Sequence, residues 1–474
     1  MLPRRARLII KYNLPHTRSL SSFRANSNGP TLHTHSTIAM KRPRSLSCQD
    51  VNFHFHLDQT IRRHIHIEGL ALAPLVFGGL FISLWTWKCF MLVIFQNKII
   101  FMPGLPPNSR WERIEDYSAR LCGVEWREEQ VRSADGTHVA LCVADVDLGA
   151  PRRQVGGVGG SGETKKRVKW GEKGEMDVKD KMFYVLYFQG NAASIPPRLP
   201  DISSTLSLLK RQLSAQAPGS AARCTFVCLS YRGYWTSKGR PTEAGIRLDA
   251  LAALEWIARR QRETFGGNIN SGGEEDMTNP SAPAEVILWG QSIGCGVATN
   301  LAADVTSSTV RDMRINSMIL ETPFTSLKAM LEVLYPQRWL PYKYLWPFLR
   351  NHLDSWRNLG IVADNSNSNY GYNCPQNELQ ASKSDEKKVK GLGGNGNEKT
   401  ANQKTKLPEI LILQAVKDEL VPAELSQMIY DRCRDLYFPV TRVAVDGAFH
   451  NDTMFRSEGK RAVAEFLARK MREE

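Results

Sequence analysis

The sequence predicts an α/β protein: a mostly parallel central sheet with helices on both faces, preceded by one N-terminal transmembrane helix. Three observations carry this expectation. Short runs of β-branched and bulky apolar residues alternate with helical patterns from about Val124 to the end of the sequence. A hairpin signal at Asp135-Gly136 opens that series. Upstream of both, Gly69 to Trp87 is a run of nineteen residues without a charge, long enough to cross a bilayer.

Taken from the N-terminus, residues 1–68 read as a basic, disordered tail. They hold eleven Lys and Arg against Asp50, Asp58 and Glu68, which is +8 of the net +14 of the 474-residue chain. The remainder is mildly basic and has no aromatic-interleaved basic face, so nucleic acid is not expected as a partner. The first 49 residues lack acidic side chains and are rich in Ser, a composition shared by mitochondrial presequences and by basic cytosolic tails. Seven of the ten histidines precede residue 67, without carboxylate or cysteine partners at ligand spacing, and the nine cysteines are scattered with no C-x-x-C. Neither a structural metal, an organic cofactor nor a disulfide framework is expected, and Cys224 and Cys228 read as buried free thiols on one strand face.

Residues 69–95 are expected to form the transmembrane anchor, with Trp85, Trp87 and Lys88 giving its end an interfacial look. The long basic tail favours a cytosolic N-terminus, which would place the rest of the chain on the far side. From 105 to 474 the sequence reads as one α/β domain. Its expected strands are 182–188 ("MFYVLYF"), 224–230 ("CTFVCLS"), 286–289 ("VILW"), 317–321 ("SMILE"), 409–414 ("EILILQ") and 441–445 ("TRVAV"). Three stretches near 151–181, 264–284 and 362–406 are poor in apolar residues and read as disordered surface insertions.

The strand at 286–289 runs straight into Gly290-Gln291-Ser292-Ile293-Gly294 and then a helical pattern. A strand turning into a helix at G-x-S-x-G leaves no room beside the serine, and it lifts the hydroxyl out of the sheet. It also aims the Ile293 amide, at the positive end of the new helix, toward an oxyanion formed next to Ser292. A serine hydroxyl is a weak nucleophile and needs a base held by a third group, which in this type of sheet follow in the order acid, then His. Only His352 and His450 come after Ser292. His450 sits just past a strand, where loops of open α/β sheets carry reactive groups, and is the expected base; His352 lies in an aromatic helical stretch. Asp418, after the 409–414 strand, is the expected acid, with Glu321 the alternative at the end of the preceding strand. A second oxyanion amide is expected from Gln189-Gly190-Asn191-Ala192, with Asn191 the choice and Ala192 next.

These blocks, together with "FQNKIIFMPGLPP", "LSYRGYWTSKGRPTEAGIRLDALAALEWI", "LETPFTSL" and "AFHNDT", make the chain resemble the membrane-anchored α/β-hydrolases of the bud-emergence type. The likeness covers most of residues 69–470 outside the three insertions. It implies Ser292 as nucleophile, Asp418 as acid, His450 as base, and Asn191 and Ile293 as oxyanion donors. One departure is Gln189, where that family usually has His before Gly-Asn-Ala. The expected function is therefore a membrane serine hydrolase acting on an acyl ester or thioester, of a lipid or a lipidated protein such as a palmitoyl protein. The expected location is the endoplasmic reticulum or another endomembrane, with a mitochondrial membrane as the alternative. The competing function is an idle hydrolase fold used as a scaffold in membrane organisation or polarity. Residues 324–356, rich in Leu, Trp, Tyr and Phe, read either as a lid over an acyl pocket or as ordinary helical packing.

Overall fold

The computed structural model describes residues 67–148, 181–192, 194–216, 222–265, 284–305, 313–368 and 407–472. The tail up to residue 66 lies outside this set, as does nearly all of the three expected insertions. One boundary differs from expectation: the helix Ser355–Ser368 continues seven residues into the 362–406 stretch, because Val362 and Ala363 bury an apolar face.

Helix α1 (Ile67–Ile94) contains the apolar segment Leu72–Ile94, which at 1.5 Å per residue is about 34 Å long and sufficient to cross a bilayer. Its span residues are not buried against the protein. A short α2 (Gln96–Phe101) follows directly. Eight strands then form one sheet: β1 (Trp126–Arg132), β2 (His138–Asp147), β3 (Lys181–Phe188), β4 (Ala222–Leu229), β5 (Ala284–Gln291), β6 (Met313–Glu321), β7 (Glu409–Ala415) and β8 (Val440–Val445). Their spatial order is β1-β2-β4-β3-β5-β6-β7-β8, antiparallel from β1 through β4 and parallel from β4 to β8. Five of the six expected strands lie within these spans, and the sixth, 224–230, runs one residue past the end of β4.

The apolar runs become central strands because both faces of the sheet are covered. Side chains alternate: Tyr184, Leu186 and Phe188 of β3 enter one core, Phe183, Val185 and Tyr187 the other. The first core is closed by α4 (Glu243–Phe265), α5 (Ile293–Asp304), α7 (Ser355–Ser368) and α8 (Ala423–Asp435). The second is closed by α3 (Leu199–Gln216) and α9 (Ser457–Lys470). A fully buried Leu, Ile or Phe in these layers contributes roughly 1.5–3 kcal/mol. Cys224 and Cys228 both face the second core as free thiols, and burial pushes the Cys224 thiol up to about 12.

Strand order fixes where a site can form. From β3 the chain moves outward to β4, then crosses back to β5 on the other side of β3. The connections after β3 and β5 therefore leave in opposite directions, and a crevice opens at the carboxyl ends of these two strands. Gly190 and Asn191 follow β3, and Ser292 follows β5, at that crevice.

Candidate active site

Ser292 has φ 53° and ψ −117°, a conformation that costs a non-glycine residue about 1–3 kcal/mol. The turn is held from both sides: the Ser292 amide donates to the Glu321 carbonyl at 2.8 Å, and the Ser292 carbonyl accepts from the Cys295 amide at 2.9 Å. The flanking glycines are required by close approach. A Cβ on Gly290 would lie 2.3 Å from the Gly294 carbonyl oxygen, and one on Gly294 would lie 2.2 Å from that of Phe188. The G-x-S-x-G spacing thus lets β3, β5 and α5 meet backbone to backbone beneath the serine.

Asp418 stands in the turn after β7. Its Oδ1 accepts the amides of Leu420 at 2.9 Å and Val421 at 2.7 Å, which fixes the carboxylate. His450 stands in the loop after β8, and the two loops are tied by the Lys417 amide donating to Ala448 at 2.8 Å and the His450 amide donating to Glu419 at 3.0 Å. The result is a continuous relay. His450 Nδ1 lies 2.9 Å from Asp418 Oδ2 and 3.0 Å from Oδ1, while His450 Nε2 lies 2.9 Å from Ser292 Oγ. Ser292 and His450 are buried, at 6 % and 2 % exposure, so bulk water competes little for these contacts.

The structure sorts the alternatives. His352 is exposed, and its backbone rather than its ring is engaged, with its carbonyl accepting from Leu327. Glu321 is fully buried and engaged by other groups, with Arg198 Nη2 at 2.6 Å from its Oε1 and the Thr453 hydroxyl donating to the same oxygen, while His450 Nδ1 meets Asp418. Ile293 opens α5 beside the serine, and Asn191 shares a cavity wall with Ser292, Ile293 and His450. The Ala192 amide donates to the Phe101 carbonyl at 3.3 Å.

Sequence reasoning missed the layer beneath the turn. Arg198, just before α3, donates to Glu321 and through Nε to the Tyr187 hydroxyl at 3.2 Å; that hydroxyl donates to Gln291 Oε1 at 3.1 Å. Burial alone would lower the Arg198 guanidinium, but the Glu321 charge beside it holds it above its ordinary value. The signal was an arginine eight residues after the Gly190 loop, which has no meaning until β3 and β6 are brought together. Arg232, in the "YRGYWTSKGRPTE" block, is equally structural: it forks onto buried Asp249 and reaches Asp135 at 2.6 Å.

An apolar cavity of about 410 Å³ opens onto Ser292 and His450. Its far walls come from α6 (Leu327–Leu334) with the segment after it, and from the last turn of α1 with α2: Leu331, Leu345 and Leu349 face Leu92, Val93 and Ile100. The 324–356 stretch therefore covers a pocket. Such a volume, an apolar lining and a few polar groups at one end suit a small apolar ligand. Among the described residues no group of three His, Cys, Asp or Glu could hold a metal ion.

No protein-family model matches the chain. It is similar to Protein bem46 of Schizosaccharomyces pombe, 31% identical over 153 residues, covering 32% of this chain and 38% of that protein. It is similar to Protein ABHD12B of Homo sapiens, 27% identical over 217 residues, 46% of this chain and 44% of that one. It also resembles the Lysophosphatidylserine lipase ABHD12 of Mus musculus, 31% identical over 149 residues and 31% of each chain. The chain spans less than half the length of each of these relatives. Among solved structures, an esterase of Pyrococcus furiosus aligns with TM-score 0.40 and 16% identity, covering 76% of this chain and 95% of that one. An alpha-beta hydrolase from Vibrio vulnificus aligns with TM-score 0.42 and 13% identity, covering 79% and 91%. The relatives include α/β-hydrolase domain proteins, and the mostly parallel sheet described above has the α/β-hydrolase fold.

Proposed function

We propose that the protein is a membrane-anchored serine hydrolase that cleaves an acyl ester or thioester. The observation that carries the reading is the Asp418–His450–Ser292 relay, with 2.9 Å contacts at both ends of the imidazole, standing at the head of an apolar cavity. Ser292 Oγ attacks the acyl carbonyl while His450 Nε2 takes its proton, and Asp418 orients the ring and stabilises the imidazolium. Carbonyl charge passes to the amides of Asn191 and Ile293, the latter at the positive end of α5. His450 then protonates the leaving alcohol or thiol, leaving an acyl-serine. Water, deprotonated by the same imidazole, releases the acid and restores the hydroxyl.

Two features point to a lipid-borne acyl group. The cavity is walled by the end of a helix long enough to cross a bilayer, and one relative is named as a lysophosphatidylserine lipase. A single-chain lipid or an acylated protein fits the lining; a helix of this length directs the protein to a membrane, for which the endoplasmic reticulum or another endomembrane is proposed. The test is hydrolysis of a p-nitrophenyl ester series by detergent-purified protein beside Ser292→Ala. Turnover that the variant loses supports the reading; equal turnover in both excludes Ser292, and none in either excludes the hydrolase.

A further inference from the structure

The acyl cavity shares a wall with the anchor, and the segment that forms its outer side runs along the anchor. Trp85 Nε1 of α1 donates to the Trp339 carbonyl at 3.3 Å. Three residues further along each chain, Lys88 Nζ stands 5.4 Å from the Tyr342 ring centre. Further on, Gln96 Nε2 donates to the Phe348 carbonyl at 3.1 Å, and the Arg350 guanidinium donates to the Val93 and Ile94 carbonyls at 3.0 and 3.2 Å, capping α1. Residues 339–350 thus lie alongside the last three turns of α1. Trp85 precedes Ile94 by nine residues, so Trp339 sits about 13 Å back along the helix axis, toward the span.

The outward face of this segment is not that of a soluble surface. Trp339, Tyr344 and Trp346 are 69 %, 53 % and 47 % exposed, and Phe348, 60 % exposed, also borders the cavity. Residues 335–350 contain no acidic side chain, and Lys88, Lys98, Lys328, Arg338 and Arg350 are exposed around them. Aromatic rings with amphipathic edges, flanked by cations, are the composition of the headgroup boundary of a bilayer. The stacked Tyr335 and Tyr342 rings, 3.8 Å between centres, brace the segment from inside.

We propose that residues 335–350 lie in the headgroup–acyl boundary of the leaflet from which α1 emerges, so that the acyl chain enters the Ser292 cavity laterally from the bilayer. The partner is the lipid surface itself, and the anchor is one wall of the entrance. This rests on the membrane-anchored hydrolase reading. It adds that substrate is drawn from the membrane rather than from water.

The test uses the full chain reconstituted in phosphatidylcholine–phosphatidylserine vesicles. Cys48, Cys89, Cys122 and Cys374 are replaced by Ser, and the five buried cysteines are kept. A nitrobenzoxadiazole label on Trp339→Cys is expected to be quenched by lipids spin-labelled on the upper acyl chain. The same label on Tyr437→Cys, 87 % exposed and just before β8, at the amino ends of the parallel strands and away from the carboxyl ends where Ser292 and His450 stand, is not. Equal quenching at the two positions overturns the placement. In a second arm, Trp339→Asp with Trp346→Asp, neither of which lines the cavity, should lower turnover of a long-chain ester carried in vesicles by about tenfold or more, since each charge opposes insertion. Turnover of a short water-soluble ester should be unchanged; equal loss of both overturns lateral entry. A wild type that cleaves neither ester sinks the hydrolase reading, while quenching still decides the placement.

Discussion

Gly294→Ala should displace Ser292 from the Asn191 and Ile293 amides, the proposed oxyanion donors. The added Cβ would lie 2.2 Å from the Phe188 carbonyl oxygen and 2.8 Å from that of Gln189, against an ordinary contact of 3.4 Å or more. Both neighbours are backbone at the end of β3, so no side chain can swing away. Either α5 or the Gly190-Asn191 loop must move by about 1 Å, and a shift of that size at reacting groups costs about 100-fold in rate. Overpacking at such a site also costs roughly 1–3 kcal/mol of stability. Gly190→Ala is the control in the same loop: its Cβ would meet Gln291 Oε1 at 3.6 Å, an ordinary contact, and the variant should stay within about 0.5 kcal/mol of wild type. The assay is kcat and KM on p-nitrophenyl butyrate beside thermal unfolding. A folded Gly294→Ala protein with wild-type kcat would refute the argument that this approach sets the oxyanion geometry.

Asp418→Asn keeps the shape but presents an amide to His450 Nδ1, favouring the wrong tautomer, and kcat should fall by about 10³–10⁴ while the fold survives. Arg198→Met leaves the buried Glu321 carboxylate with Thr453 alone and should cost about 3–5 kcal/mol in urea unfolding; adding Glu321→Gln should recover part of it. The Arg232 guanidinium holds the Asp135 carboxyl down to about 2 from its ordinary 3.8. A carboxyl depressed in the fold contributes stability above its unfolded value that is lost as pH falls toward the folded one. Asp135→Asn should therefore flatten the stability loss between about pH 4 and pH 2, by under about 1 kcal/mol because the pair is near the surface. An unchanged acid slope in that variant would count against the pairing.

The sheet was legible because its central strands are buried on both faces, which forces continuous apolar runs such as those of β3, β5 and β7 and leaves little ambiguity with helices. The serine turn was legible because three backbones crowd it, and glycine is the local record of that crowding. Residues that depend on distant chain segments were not. Glu321 ends a strand and Asp418 follows one, and sequence order could rank them without showing that Arg198 binds one while His450 meets the other. The anchor at 69–95 and the stretch 324–356 were visible, but the cavity they border is made by contacts some 250 residues apart in sequence, such as Gln96 with Phe348. The last turns of α7 fall within the stretch read as an insertion because they carry its Asn and Ser residues, and only the burial of Val362 and Ala363 marks them as helix.

The central claim is that Ser292 is a nucleophile made reactive by His450. Its most direct test is a fluorophosphonate probe applied to the detergent-purified protein, with the modified peptide identified by mass spectrometry. The account predicts one phosphonylated residue, Ser292, with labelling lost in Ser292→Ala and strongly slowed in His450→Ala. Absence of labelling in a folded wild type, or labelling that persists in Ser292→Ala, would contradict it.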